Sequence, residues 1–216
     1  MKERGIIFNG EMVRATLDGL KTQTRRIVKP QPDEDGLARL SGGPWMDTSE
    51  KVYRCPHGEV GDRLWVRETY SSDFSNYYPN HRFWYASDND RKSDIEVVDG
   101  VRGIYSPESD VHVPFRWRPS IHMPRHASRI TLEITDVRVE RLNYISEEDA
   151  IAEGVARRHS DTYHGFYRDY ENQGYGCGCT FAKDSFRSLW RSIYGAESWN
   201  ANPWCWAITF KRIEGA

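Results

Sequence analysis

Ser128-Arg129-Ile130-Thr131-Leu132-Glu133-Ile134-Thr135-Asp136-Val137-Arg138-Val139 alternates apolar and polar residues along most of its length. Ile130, Leu132 and Ile134 face one way, and Val137 and Val139 rejoin that side only if a bulge intervenes. A period of two predicts a long strand with one buried face. Working outward, Arg63-Leu64-Trp65-Val66-Arg67-Glu68-Thr69-Tyr70 repeats the pattern after a Gly61-Asp62 turn. Leu64, Val66 and Glu68 share one face there, while Arg63, Trp65 and Arg67 share the other. Gly5-Ile6-Ile7-Phe8 and Trp204-Cys205-Trp206-Ala207-Ile208-Thr209-Phe210 read as further strands.

Helical spacing appears between these strands. Glu11 to Asp18 has its apolar residues at helical intervals, with Asn9 as N-cap and Gly19 as the left-handed residue that ends the helix. Ser146-Glu147-Glu148-Asp149 caps a short helix running to about Gly154. Phe181 to Tyr194 carries the strongest stripe, Phe186, Leu189, Trp190 and Ile193, with Gly195 just past its end. Residues 30–60 are rich in proline and glycine and read as loop. Residues 71–116 read as an insertion with two short strands, and 156–179 as a loop rich in glycine and tyrosine. Separated strands with a few helices at the connections predict an α+β fold built on a small closed sheet.

A length of 216 residues fits one domain, residues 1–216, with insertions at about 31–58, 71–116 and 156–180. Hydrophobic residues make up 38%, with eight tryptophans, twelve tyrosines and eight phenylalanines carrying much of that share. A net charge of −2 gives no bulk attraction to nucleic acid, so such binding needs a local basic face. No apolar run follows Met1-Lys2-Glu3-Arg4 and none is long enough to span a bilayer, which predicts a cytoplasmic protein without membrane contact. Four cysteines do not make a disulfide framework at this length.

Three constellations could carry chemistry. In Gly19-Leu20-Lys21-Thr22-Gln23-Thr24-Arg25-Arg26, Lys21 and Thr24 lie in a turn leading into an extended segment, Arg25 to Lys29. A desolvated lysine close to a threonine hydroxyl is the raw material of a Thr–Lys nucleophile. Glu68, on the core side of its strand, needs a partner and could hold Lys21 in place. The same three residues also read as a buried ion pair with a capping threonine. The second constellation is Cys55, His57, Cys177 and Cys179, four ligand types that suit zinc. Their Cys-x-His and Cys-x-Cys spacings are tighter than usual, so the expectation is no metal and no cofactor. The third is basic and aromatic: Arg25, Arg26, Arg67, Trp117, Arg118, Arg125 and Arg129. Arginine on phosphate and tryptophan on a base would suit a nucleotide or single-stranded nucleic acid. Solvated arginines and a tryptophan covering a sheet edge would look the same in sequence.

Gly19-x-Lys21-x-x-Thr24-x-Arg26 followed by Gly61-Asp62-x-x-x-Val66-x-Glu68 resembles the signature of the ASCH domain, a PUA-like β-barrel. The likeness to its bacteriophage and prophage branch extends through Trp117 to Arg125, Ser146 to Ala150 and Asn202-Pro203-Trp204. It covers most of the chain outside 31–50, 71–112 and 156–180. It implies a barrel with peripheral helices whose cleft holds Lys21, Thr24 and Glu68 together as catalytic groups. It also implies amide hydrolysis of an N4-acylated cytidine-type nucleoside, or alternatively noncatalytic binding or cleavage of RNA or DNA. Arg26, Arg67, Trp117, Arg118 and Arg125 would then contact the nucleoside or single strand, Arg26 at a phosphate or ribose. The oligomeric state is left open.

Overall fold

The structure, a computed structural model, describes residues 1–40, 44–77, 83–88, 95–106, 109–158, 166–172 and 178–213. The first eight strands are β1 (Glu3–Ile7), β2 (Gln23–Ile27), β3 (Ala38–Arg39), β4 (Trp45–Met46), β5 (Val52–Tyr53), β6 (Arg63–Arg67), β7 (Tyr70–Ser71) and β8 (Trp84–Tyr85). They are followed by β9 (Glu96–Val98), β10 (Val101–Ser106), β11 (Val111–Pro114), β12 (Thr131–Arg141), β13 (Arg157–Arg158), β14 (Phe166–Arg168), β15 (Gly178–Cys179) and β16 (Trp204–Ile213). The α-helices are α1 (Gly10–Leu17), α2 (Glu147–Ala152), α3 (Ala182–Tyr194) and α4 (Ala196–Asn200). The fold is mixed α+β and mostly strand.

One five-stranded sheet in the order β1-β6-β12-β16-β2 carries the core. β1 runs parallel to β6, and the other neighbours are antiparallel. Alternation decides which side is buried: Leu64 and Val66 from β6, Ile130, Leu132 and Ile134 at and in β12, and Trp206, Ile208 and Phe210 from β16. Ile6 and Phe8 join them from β1 and the residue after it, and Val13 from α1 covers part of this face. The expected bulge lies between Ile134 and Asp136, where the β12–β16 register shifts. The ladder does not close into a barrel, because β1 and β2 are both edges. A side chain spans that seam instead: Arg26 Nη2 donates to the Ile7 carbonyl at 2.8 Å.

The helices start and stop where their caps require. Asn9 Oδ1 accepts from Met12 N at 2.8 Å, and Gly19 takes φ 74° just past α1. Ser146 Oγ accepts from Asp149 N at 3.0 Å at the start of α2. The Glu147 carboxylate then reaches Ala182 N (2.8 Å) and Lys183 N (3.3 Å), so one helix caps the next. Phe186, Leu189 and Trp190 of α3 are buried as the stripe implied, but Ile193 is exposed.

Several boundaries differ from the sequence expectation. Thr24 is in β2, not in the turn before it, because the strand begins at Gln23. The regions read as loop contain small antiparallel sheets, β3-β4-β5 and β13-β14-β15. The insertion at 71–116 holds a three-stranded sheet, β11-β10-β9, rather than two strands. Ile104 and Val113 from this sheet, with Phe115, pack on Phe74 and Trp84 to make a core of their own.

Candidate functional site

Lys21 is 2% exposed, and its amine makes three hydrogen bonds: to the Gln23 carbonyl (2.8 Å), the Glu153 carbonyl (2.8 Å) and Glu153 Oε2 (2.9 Å). Those bonds use all three ammonium protons. The carboxylate partner of Lys21 is therefore Glu153, at the C-terminal end of α2, and not Glu68. Burial lowers the Lys21 pKa below the ordinary lysine value, Glu153 opposes that, and Arg26 and Arg25 add to it. Arg25 shares the same acid through Nη1–Oε1 at 3.2 Å and also meets Glu140 and Asp149. Gln23 links Arg25 (2.6 Å) and Asp149 (3.1 Å). Burial lowers the Arg25 pKa, and the three acids more than offset it, so the net direction is up.

Strand alternation puts Thr24 on the opposite face of β2 from Gln23 and Arg25, and its residue is 2% exposed. The expected Lys21–Thr24–Glu68 triad thus does not assemble as one hydrogen-bonded unit. Phe8 lies against the Lys21 and Arg26 side chains, and its backbone joins the residue before Glu68. Lys21 Nζ lies 5.5 Å and the Arg26 guanidinium 6.0 Å from its ring centre, while Phe8 N donates to Arg67 O beside Glu68.

Glu68 has a different setting. It is 2% exposed; Oε1 accepts from Arg129 Nε (3.0 Å), and Oε2 from Arg129 Nη2 (3.2 Å) and the Ser87 hydroxyl. Arg129 also pairs with Asp88 and lies 4.0 Å from the ring centre of Tyr85. Burial opposes the charge on Arg129, and the two carboxylates outweigh it. Glu68 and Ser87 line an open cleft of about 400 Å³ together with Asn9, Gly10, Arg14 and Thr69. Arg14 Nη1 donates across it to the Ser87 carbonyl at 2.8 Å. Arg129 was visible in sequence as part of the basic set. Arg14, Ser87 and Asp88 were not, since nothing local marks their approach to Glu68.

The remaining arginines mostly have partners within the chain. Arg67 donates to the Ile121 carbonyl, Arg118 pairs with Asp73 (2.7 Å), and Arg125 takes Glu3 through two nitrogens (2.8 and 3.0 Å). Trp117 stands edge-on to Phe115, 4.9 Å between ring centres, against the core of the inserted sheet. Each of these side chains is engaged with a different partner within the chain. Of the candidate metal ligands, Cys55 is buried, Cys179 lies in β15, and Cys177 falls outside the described residues. Among the described residues no group of three or more acidic, cysteine or histidine side chains could hold a metal, and no helix is long and apolar enough to cross a membrane.

No protein-family model, curated protein or solved structure matches this chain.

Proposed function

We propose that this chain is an ASCH-like, PUA-like protein directed at a nucleoside or an unpaired nucleotide, with the base held in the Glu68 cleft. The observation that carries this reading is the Glu68 carboxylate: buried, fixed by Arg129 and Ser87, and yet part of the wall of an open cleft. A carboxylate in that position accepts from an exocyclic amino group, the usual way an acid reads cytosine N4. A volume of about 400 Å³ lies within the range of small-molecule sites.

Binding is favoured over Thr–Lys hydrolysis because the Lys21 protons are all committed to protein acceptors. One observation supports the hydrolytic reading: burial moves the Lys21 pKa down, the direction a general base requires. The test covers both. Cytidine and N4-acetylcytidine are titrated into the wild type and Glu68→Gln by calorimetry, with acetate release followed in parallel. Binding that weakens at least about tenfold in Glu68→Gln, a loss of ~1.4 kcal/mol, supports the cleft. Acetate release that disappears in Thr24→Ala and Lys21→Ala would promote the chain to an amidohydrolase. No binding of any nucleoside or single strand would refute the proposal.

A further inference from the structure

The charges around the Glu68 cleft are matched unevenly. Glu68 and Asp88 share one guanidinium, that of Arg129. On the α1 side, Glu11 is paired with Arg168 at 2.6 Å, and Arg14 lines the same cleft. Arg14 is exposed, and its one polar contact among the described residues is the donation from Nη1 to the Ser87 carbonyl at 2.8 Å. Ser87 ties the two sides together. Its carbonyl holds Arg14, while its hydroxyl donates to Glu68 Oε2 and accepts from Arg129 Nη2 at 2.9 Å. Gly10 leaves room beside this link. A Cβ there would lie 3.5 Å from Arg14 Nη1 and 3.6 Å from the Ser87 Cα, in ordinary contact with both.

What remains for a ligand differs between the two groups. An ionised carboxylate has about four lone-pair sites, and Glu68 has filled three, two with Arg129 and one with Ser87. The acceptor left on Oε1 is enough for a single amino N–H. Arg14 keeps its Nε and Nη2 donors unused among the described residues, and this planar fork matches phosphate oxygens. The acids around the cleft already have guanidinium partners, so the Arg14 charge is free to meet an anion. We infer, resting on the proposed placement of the base at Glu68, that Arg14 receives the phosphate of the same ligand. The cleft then takes a nucleoside monophosphate in preference to the bare nucleoside.

The experiment titrates cytidine, cytidine monophosphate and uridine monophosphate by calorimetry into the wild type and single variants. Cytidine monophosphate is expected to bind at least about tenfold more tightly than cytidine, the scale of hydrogen bonds to a charged group. Arg14→Gln keeps an N–H for the Ser87 carbonyl but loses the charge, and in it the two affinities should come together. Arg54→Gln, a change at an exposed arginine paired with Glu59, should keep the full preference. Gly10→Ala puts a methyl group into the cleft without a steric clash, so the fold should survive while nucleotide binding weakens. Unaltered nucleotide binding in Gly10→Ala, or a phosphate preference that survives Arg14→Gln, overturns the inference. Cytidine binding with no gain from the phosphate also overturns it, and leaves the base at Glu68 standing. Cytidine and uridine monophosphates that bind alike, insensitive to Glu68→Gln but lost in Arg14→Gln, would keep the phosphate at Arg14 and remove the base from Glu68. No binding of any of the three refutes both.

Discussion

Glu153 stands at the C-terminal end of α2, where a carboxylate meets the negative end of the helix dipole. Its position makes sense only through tertiary partners, Lys21 and Arg25. The lysine ammonium also accepts its place at that helix end by bonding the Glu153 carbonyl. Removing one member of such a group leaves a buried charge without compensation. Glu153→Ala should therefore cost about 3–5 kcal/mol in denaturant unfolding. Joining Lys21→Met to Glu153→Leu should recover much of that loss, since Arg25 keeps Glu140 and Asp149. A Glu153→Ala variant within 1 kcal/mol of the wild type would mean that water reaches the amine. The sequence put Glu68 on the core side of its strand in need of a partner, and left the surroundings of Lys21 open. It did not show which partners they take, because Lys21 and Glu153 lie 132 positions apart and Glu68 and Arg129 61. A carboxylate just before Gly154, at the wrong end of a helix, was the one local sign that Glu153 had a distant partner.

At the scale of elements, the helices were legible because caps are local chemistry. Asn9, Gly19, Ser146 and Gly195 sit within a residue or two of where their side chains or φ angles place the ends. The long strands were legible for the same kind of reason: a period of two survives over ten residues. Two-residue strands such as β3, β4 and β13 have no period to read, so their sheets appear only once the chain is folded. Gly154 shows how a cap also sets packing. It takes φ 82°, and a Cβ there would come within 2.8 Å of the Lys21 Cβ and 3.0 Å of the Ala15 Cβ. Gly154→Ala should thus push α2 away from α1 and β2 and loosen the Lys21–Glu153 bond. The expected loss exceeds about 1 kcal/mol, the usual cost of a left-handed alanine, because the clash adds to the strain. Gly19 offers the control. Its φ is also positive, but nothing lies within 4 Å of where its Cβ would be, so Gly19→Ala should show the backbone cost alone. Equal destabilisation at the two sites, measured by thermal unfolding, would remove the packing argument.

On the scale of the whole molecule, the buried residues fall into separate clusters rather than one continuous core. The main cluster covers one face of the five-stranded sheet, and a second joins α2, α3 and β14. The inserted sheet β11-β10-β9 rests on a third, made of Phe74, Trp84, Ile104, Val113 and Phe115. That sheet buries one face only. Val97 is 69% exposed, and Val98, Val101, Tyr105 and Val111 are exposed beside it. β12 and β16, by contrast, are inner strands with a neighbour on each side and the main core beneath them. Free energy of local opening follows buried apolar contact, so the two regions should not open together. Native-state hydrogen exchange is expected to give β9–β11 amides opening free energies at least about 1.4 kcal/mol below those of β12 and β16, a tenfold or greater difference in exchange. Trp117, packed against the third cluster, belongs to this weaker unit. Trp117→Ala should widen the gap by speeding exchange in β9–β11 while leaving β12 and β16 unchanged. Exchange that slows or quickens together across both sheets would mean that the insertion and the main sheet form one cooperative unit, and that the clusters are divided only in outline.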